Sequence, residues 1–431
     1  MGHSSRSFDR SLTLFEEARQ RIPGGSQTSS KRPAAFAYGA FPIYFASASG
    51  SRITDIDGNE YIDLIGALGP ISLGYTYPEV DEAIRAQLSR GIISGLLSPL
   101  EVEVARLLAE LVPCAEQVRY FKGGGEATAA AARVARRHTG REVILNCGYR
   151  GWPDTWTIAN NDGGVPRGLE GSIQTFAFND REGLERLIHG QSAEIAAIAV
   201  DVQVAAPEPG YLAWLRDLAH EIGALLIFDE IVTGFRMANG GLQEYAGVTP
   251  DVAVFAKGIA NGMPLAVVAG RAEVMASMTD AMISITYGGE ALSLAAARAT
   301  LEVYRSQPVV EMMWARGKQL RDGLTAAAQP AHLPFSVVGF DPMTAMRFEG
   351  LSADDNTDAW GYLLQEMAQR GVLLRRGGLN FVSYSHSEAD IAAVLGAAGE
   401  VFARLAPLLA TGTVRDHLRI RSVDTGFRAF R

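Results

Sequence analysis

Between about residue 80 and residue 270 the chain alternates short apolar runs with segments of helical period. The runs are "VRYF" at 118–121, "EVILNC" at 142–147, "IAAIAVDV" at 195–202, "ALLIFDE" at 224–230, "VAVFA" at 252–256 and "LAVVAG" at 265–270. They are short, largely continuous and rich in β-branched residues, and they lack the every-other-residue alternation of a half-exposed strand. Strands of this kind are covered on both faces. Helical patterns such as "GYLAWLRDLAHEIG" at 210–223 separate several of them. The pattern predicts an α/β fold with a mostly parallel, doubly wound sheet.

Outside that region the pattern changes. A short amphipathic helix, "SLTLFEEARQRI", precedes the turn-rich "PGGSQTSSKRP", and "SRITDIDGNEYIDLI" reads as two strands joined at Asp57–Gly58. Beyond about 295 come a long helix, mixed strands around 335–350 and 372–384, and a closing helix from about Ser387. The expected organisation is an N-terminal segment (1–75) joining a small domain, a large α/β domain (76–295), and a C-terminal small α+β domain (296–431). "MGHSSRS" reads as a disordered start, and no internal repeat or low-complexity tract is present.

Bulk composition narrows the functional classes. A formal net charge of -9 argues against a nucleic-acid partner or an anionic membrane surface. No run of eighteen apolar residues and no signal peptide is read, so a soluble, cytoplasmic protein is expected. The 2 cysteines, Cys114 and Cys147, fit a reducing compartment. The 7 histidines lack metal-ligand spacing and there is no G-x-S-x-G elbow, so no metal site and no serine hydrolase is expected.

Candidate chemistry sits at the ends of the apolar runs. "YFKGGGEATAAAARVARRHTG" places three glycines between a strand and an alanine-rich helix. They make either a plain tight turn or a cradle in which helix N-terminal amides meet an anion. "ALLIFDE" ends in Asp229 and Glu230, where an open α/β sheet binds ligands; a helix cap or a pair with Arg236 would explain a carboxylate there equally well. "DVAVFAKGIANG" places Lys257 directly after a buried strand. A desolvated lysine has a lowered pKa and serves as an amine nucleophile toward an aldehyde. Phosphate cradle, strand-end aspartate and strand-end lysine together suit a phosphorylated pyridine aldehyde held as a Schiff base.

At this point the chain resembles the class III aminotransferases of the fold-type I, pyridoxal-phosphate-dependent group, and most closely their glutamate-1-semialdehyde aminomutase branch. The likeness runs in order through "LFEEARQRIPGG", "DIDGNEYIDLIGALGPISLGYTYPEV", "GGGEATAAAARVARRHTGR", "GYRGW", "FDEIVTGFR", "FAKGIANGMPLAVVAGR", "TYGGEALSLAAA" and "SHSEADI". The resemblance implies pyridoxal 5′-phosphate as cofactor, with pyridoxamine 5′-phosphate as its intermediate form, and amine or amino-acid and carbonyl substrates. It implies that Lys257 carries the Schiff base and Asp229 pairs with the ring nitrogen. Gly124 and Gly125 would cradle the phosphate, Tyr149 would stack on one ring face and Ile231 would press the other. Thr286 would reach the phosphate of a neighbouring subunit, which implies a homodimer.

The chain also departs from that family. Gly123 and Gly125 stand where members usually carry polar side chains, Arg150 stands in place of a histidine, and Asp201–Val202 replaces a glutamate–proline pair. Arg32 and Arg150 are the candidate substrate-anion contacts, with Lys31, Arg375 and Arg376 behind them. The expected reaction is ping-pong transamination; an intramolecular 1,2-amino shift or an epimerisation uses the same lysine and the same carbanion. More distant readings are a dinucleotide-binding oxidoreductase, whose third glycine position is Thr128, and a catalytically inactive binding scaffold. Both leave Lys257 and Asp229 without roles.

Overall fold

The computed structural model describes residues 6–158 and 164–420. The chain divides into two compact units, one formed by Met1–Leu68, Leu73–Tyr77 and Glu311–Arg431, the other by Gly69–Ser72 and Pro78–Val310. The second unit holds the sheet that the apolar runs predict. Its strands are β1 (Gln117–Phe121), β2 (Val143–Cys147), β3 (Ile173–Thr175), β4 (Ile195–Asp201), β5 (Leu225–Asp229), β6 (Val252–Phe255) and β7 (Ala266–Gly270). They form one 7-stranded sheet in the order β1-β7-β6-β5-β4-β2-β3. Strands β3, β2, β4, β5 and β6 run parallel. Only β7 breaks the pattern, pairing antiparallel with both β6 and β1.

Why these segments become central strands is visible in their burial. Every residue of β2, β5, β6 and β7 is buried, as is β4 up to Val200. Helices of this unit include α1 (Pro78–Leu88), α2 (Pro99–Leu111), α3 (Gly124–Thr139), α4 (Tyr211–Glu221), α5 (Leu242–Ala246) and α6 (Ala291–Ser306). The buried face of α3 is Ala127, Ala130, Ala131, Ala132, Val134 and Ala135, which shares a core with Ala197, Ile227, Val254 and Val268 of the strands. Small side chains let the helix lie close to the sheet. It closes at Gly140, whose φ of 70° makes a left-handed cap.

The parallel register brings the carboxyl ends of β2, β4 and β5 into one row: Cys147 pairs with Val200 and Asp201 pairs with Asp229. On the next strand Asp229 pairs with Val254, three residues before Lys257. This row is the edge at which open α/β sheets bind ligands.

The first unit is smaller and mixed. The hairpin at Asp57–Gly58 forms as expected, joining Arg52–Asp55 to Glu60–Asp63 in antiparallel register. Its core gathers Leu12, Tyr61, Leu320, Trp360, Leu363, Val394, Val401 and Phe402. The closing helix, Glu388–Thr411, is long and apolar enough to cross a membrane by length and composition alone. Its Ile391, Val394, Val401, Phe402 and Leu405 belong to this unit's core. Of the "MGHSSRS" start, residues 1–5 lie outside the described residues. Arg6 is held in place: its amide donates to the Gln369 side chain at 2.8 Å and its guanidinium lies over the Tyr61 ring. The division expected after residue 295 falls inside α6. That helix packs on α1 and α2, and the units part at Val310.

Candidate active site

The site is built at the carboxyl edge of the large sheet. Lys257 follows β6 directly and opens the short turn Lys257–Ala260. Its φ is 49°, the left-handed region that a residue with a long side chain occupies only when its surroundings hold it there. Those surroundings include Ser72, whose amide donates to the Asn261 side chain at 3.1 Å and whose hydroxyl donates to the Gly258 carbonyl at 3.3 Å. Ser72 escapes a reading of strand ends alone, because it acts on the turn from elsewhere in the chain, through Asn261 at the turn's own end.

Asp229 ends β5 with its side chain buried. One carboxylate oxygen, Oδ1, accepts the Ile231 amide at 3.0 Å, and the other, Oδ2, accepts Arg150 Nη1 at 3.1 Å. Burial pushes the Asp229 carboxyl upward, while Arg150, the Ile231 amide and the nearby Lys257 charge oppose that shift. Glu230 points to the opposite side of the strand, as successive strand residues do. It is fully buried, accepts the Leu242 and Gln243 amides at 2.7 and 3.0 Å, and so caps α5. Glu230 therefore belongs to the scaffold and Asp229 to the site.

The three glycines open α3. Glu126 folds back to accept the Gly123 amide at 3.0 Å and the Lys122 amide at 3.2 Å. That leaves the Gly124 and Gly125 amides among the orphan donors of the helix start, at its positive dipole end. Ile231 lies against this start: a Cβ on Gly124 would stand 2.7 Å from Ile231 Cδ1. Tyr149 is half-exposed in the loop after β2. That loop is tied to α3 by the Thr128 hydroxyl, which donates to the Arg150 carbonyl at 2.9 Å and to the Gly125 carbonyl at 3.0 Å. The structure thus gathers Lys257, Asp229, Ile231, Gly124 and Gly125 at the sheet edge, with the Tyr149 loop fastened beside them.

One expectation changes. Arg150, expected at a substrate anion, is turned inward and buried. Its guanidinium donates to Asp229 and, through Nη2, to the Cys147 carbonyl at 2.8 Å, because two buried carboxylates at the strand ends attract the nearest cation. Its place in "GYRGW" gave no sign of this, since the partners arrive from other strands. Thr286 sits exposed in the 286–289 turn ahead of α6, where Gly288 abuts the Tyr120 carbonyl. Arg32 belongs to the first unit and packs its guanidinium near Gly24. Arg375, in the same unit, lies across Gly378, and Arg376 donates to the Thr357 hydroxyl at 3.0 Å.

Residues 34–387 match the model of the class III aminotransferase family. The chain belongs to that family. It is 33% identical to the 3-aminobutyryl-CoA aminotransferase of Cloacimonas acidaminovorans, over 93% of this chain and 98% of that protein. It is 35% identical to the glutamate-1-semialdehyde 2,1-aminomutase of Syntrophobacter fumaroxidans, over 93% of this chain and 99% of the relative. Among solved structures it is similar to the PLP internal aldimine form of the FumI protein of Sphingopyxis sp. MTA144. That match has a TM-score of 0.88 at 28% identity, covering 94% of this chain and 98% of that one. As a class III aminotransferase the chain has the fold-type I architecture, and the parallel sheet with its strand-end residues is the part of that architecture described above.

Proposed function

We propose that this class III aminotransferase uses pyridoxal 5′-phosphate to move an amino group between an amine or amino acid and a carbonyl substrate, in two ping-pong halves. One observation carries the reading: a strained lysine, Lys257, opens the turn after β6 beside the buried Asp229 carboxylate and an amide-lined helix start. The residues fit the cofactor. Gly124 and Gly125 add no side chain to a helix start on which Ile231 and Pro153 already pack, and their amides stand at the positive end of α3, which suits a phosphate. A carboxylate has about four acceptor positions, of which Asp229 uses only part.

When bound, the cofactor supplies an aldehyde carbon for the amino group and a cationic ring that draws electrons from the substrate Cα. The chain's residues do the rest. Lys257 Nζ would hold the cofactor and, as a free amine, would move the substrate's Cα proton. Asp229 holds a proton on the ring nitrogen. The Gly124 and Gly125 amides bind the phosphate, while Ile231 and Tyr149 orient the ring from its two faces. Incubating the loaded enzyme with a panel of amino donors should convert the aldehyde absorbance to that of pyridoxamine 5′-phosphate. Release of carbon dioxide with no such conversion would overturn the reading.

An intramolecular 1,2-amino shift is the second reading, favoured by the 34–35% identity to proteins named glutamate-1-semialdehyde 2,1-aminomutase. A transaminase releases a carbonyl product after the first half-reaction and needs a separate acceptor; a mutase does neither.

The active unit we propose is a homodimer, with Thr286 completing the partner's phosphate site. The support is a run of exposed apolar residues beside the Thr286 turn: Leu96 is 84% exposed, Leu97 87% and Met282 88%. The two segments adjoin, since the Ala291 amide donates to the Ile92 carbonyl at 2.8 Å. Gly125 offers no hydroxyl to a phosphate, so a donor from a second copy is favourable there. A cytoplasmic location completes the proposal, in keeping with two cysteines that are both unpaired and buried.

A further inference from the structure

Behind Asp229 the structure holds a charge cluster that the proposed reaction does not use. Arg150 Nη1 lies 3.1 Å from Asp229 Oδ2 and 3.9 Å from Asp201 Oδ2, and all three side chains are almost completely buried. Asp201 ends β4 and stands opposite Asp229 in the sheet register. The Gln203 side-chain amide also donates to Asp201 Oδ2. Room for the cluster is made at Gly148, whose φ is 105°. A Cβ there would stand 2.6 Å from Asp201 Cβ and 3.3 Å from Arg150 Nη1. A glycine in the left-handed region, a buried cation and two strand-end carboxylates therefore form one arrangement.

We propose that Asp201 and Arg150 act as a positioning pair that sets how strongly Asp229 holds a proton on the cofactor's ring nitrogen. The inference rests on the cofactor reading above. Arg150 shares an oxygen of Asp229, so its positive charge competes with the ring proton for that carboxylate. Asp201 offsets the competition by neutralising Arg150 from the other side. An ionised Asp201 leaves Asp229 with its full charge toward the ring; a protonated Asp201 leaves Arg150 uncompensated and weakens that hold.

The groups facing Asp201 are Asp229 from β5, Arg150 from the loop after β2, Cys147 from β2 and Lys257 from the turn after β6. Burial first, and then the Asp229 charge, push the Asp201 carboxyl up to about 7, with Arg150, Gln203 and Lys257 pulling it down. The pair is thus poised to change charge near neutrality. The Cys147 thiol is pushed up to about 11, chiefly by burial, and stays neutral there.

The test is a charge cycle on enzyme loaded with nitrogen-15-labelled pyridoxal phosphate, reading the pH midpoint of the ring-nitrogen NMR signal in D201N, R150Q and the double variant R150Q/D201N. Removing the negative charge disfavours the protonated form, so D201N should lower the midpoint by about one unit, and R150Q should raise it by about as much. The double variant should return close to the wild-type midpoint. Shifts of the same sign, or no shift in D201N, would overturn the proposal; a role in packing alone gives no opposite and cancelling shifts.

A second measurement uses the apoprotein and does not depend on the cofactor. In the folded state Asp201 titrates near 7, above its ordinary value of about 3.9, so the folded chain holds a proton that the unfolded chain has lost between those pH values. Its contribution to stability therefore falls as pH rises across that window, and D201N should flatten this fall in melting temperature. R150Q should melt lower at alkaline than at acidic pH, with D201N restoring part of the loss. An R150Q apoprotein that D201N does not rescue would refute the pairing. A protein that shows this rescue but no visible band when mixed with pyridoxal phosphate would instead refute the cofactor reading.

Discussion

Asp229 and Glu230 are neighbours in sequence with the same charge, and the fold gives them opposite work. Asp229 Oδ1 and Oδ2 face Ile231 and Arg150, at the edge where Lys257 stands, whereas Glu230 is spent on the start of α5. Asp229→Asn keeps the shape and removes the counter-charge, so turnover should fall by roughly a hundredfold or more with cofactor still bound. Steady-state kinetics beside a cofactor absorbance check that split. An Asn variant with near wild-type turnover would show that another acid serves the ring. Lys257 and Asp229 were legible in the sequence because a strand end is a local property, marked by the apolar run before it. Arg150 was not: its partners come from two other strands, and only the sheet register with the open space at Gly148 brings them together.

At the scale of elements, the two strand-to-helix junctions make different demands. The α5 junction depends on Glu230, whose oxygens accept the Leu242 and Gln243 amides in a fully buried setting. Glu230→Ala would leave those donors buried without partners, a loss of about 1–3 kcal/mol for each such group. Thermal melting should show the drop, while cofactor retention at low temperature stays close to wild type. The α3 junction depends on the absence of side chains. In Gly124→Ala the new methyl would press on Ile231 Cδ1, so the variant should hold cofactor less tightly and melt almost normally as apoprotein. A spectroscopic cofactor titration decides it, and unchanged affinity would remove Gly124 from the cradle. The strands were readable from their continuous apolar character, and the antiparallel β7 was not, because "LAVVAG" is as apolar and as buried as its parallel neighbours.

For the whole molecule, the sequence conveyed two folding units but set their border after residue 295, inside α6, rather than at Val310. α6 ends at Ser306 and Pro308 precedes the following helix, Val309–Ala328, so a local break does stand beside the change of unit at Val310. The exposed Leu96 and Leu97 belong to this scale too, as an apolar surface beside the Thr286 turn. Replacing both with lysine should shift the sedimenting species from dimer to monomer and release cofactor with it. A monomer that keeps its cofactor would rule out a shared site, and Thr286→Ala should then have no effect on retention. The central claim, that the chain carries its cofactor on the strained lysine after β6, has a more direct test. Borohydride reduction of the loaded enzyme followed by peptide mass mapping should place the reduced cofactor on Lys257, and Lys257→Ala should abolish the adduct with its melting curve intact. An adduct mapped to Lys122, Lys31 or Lys318 would contradict it.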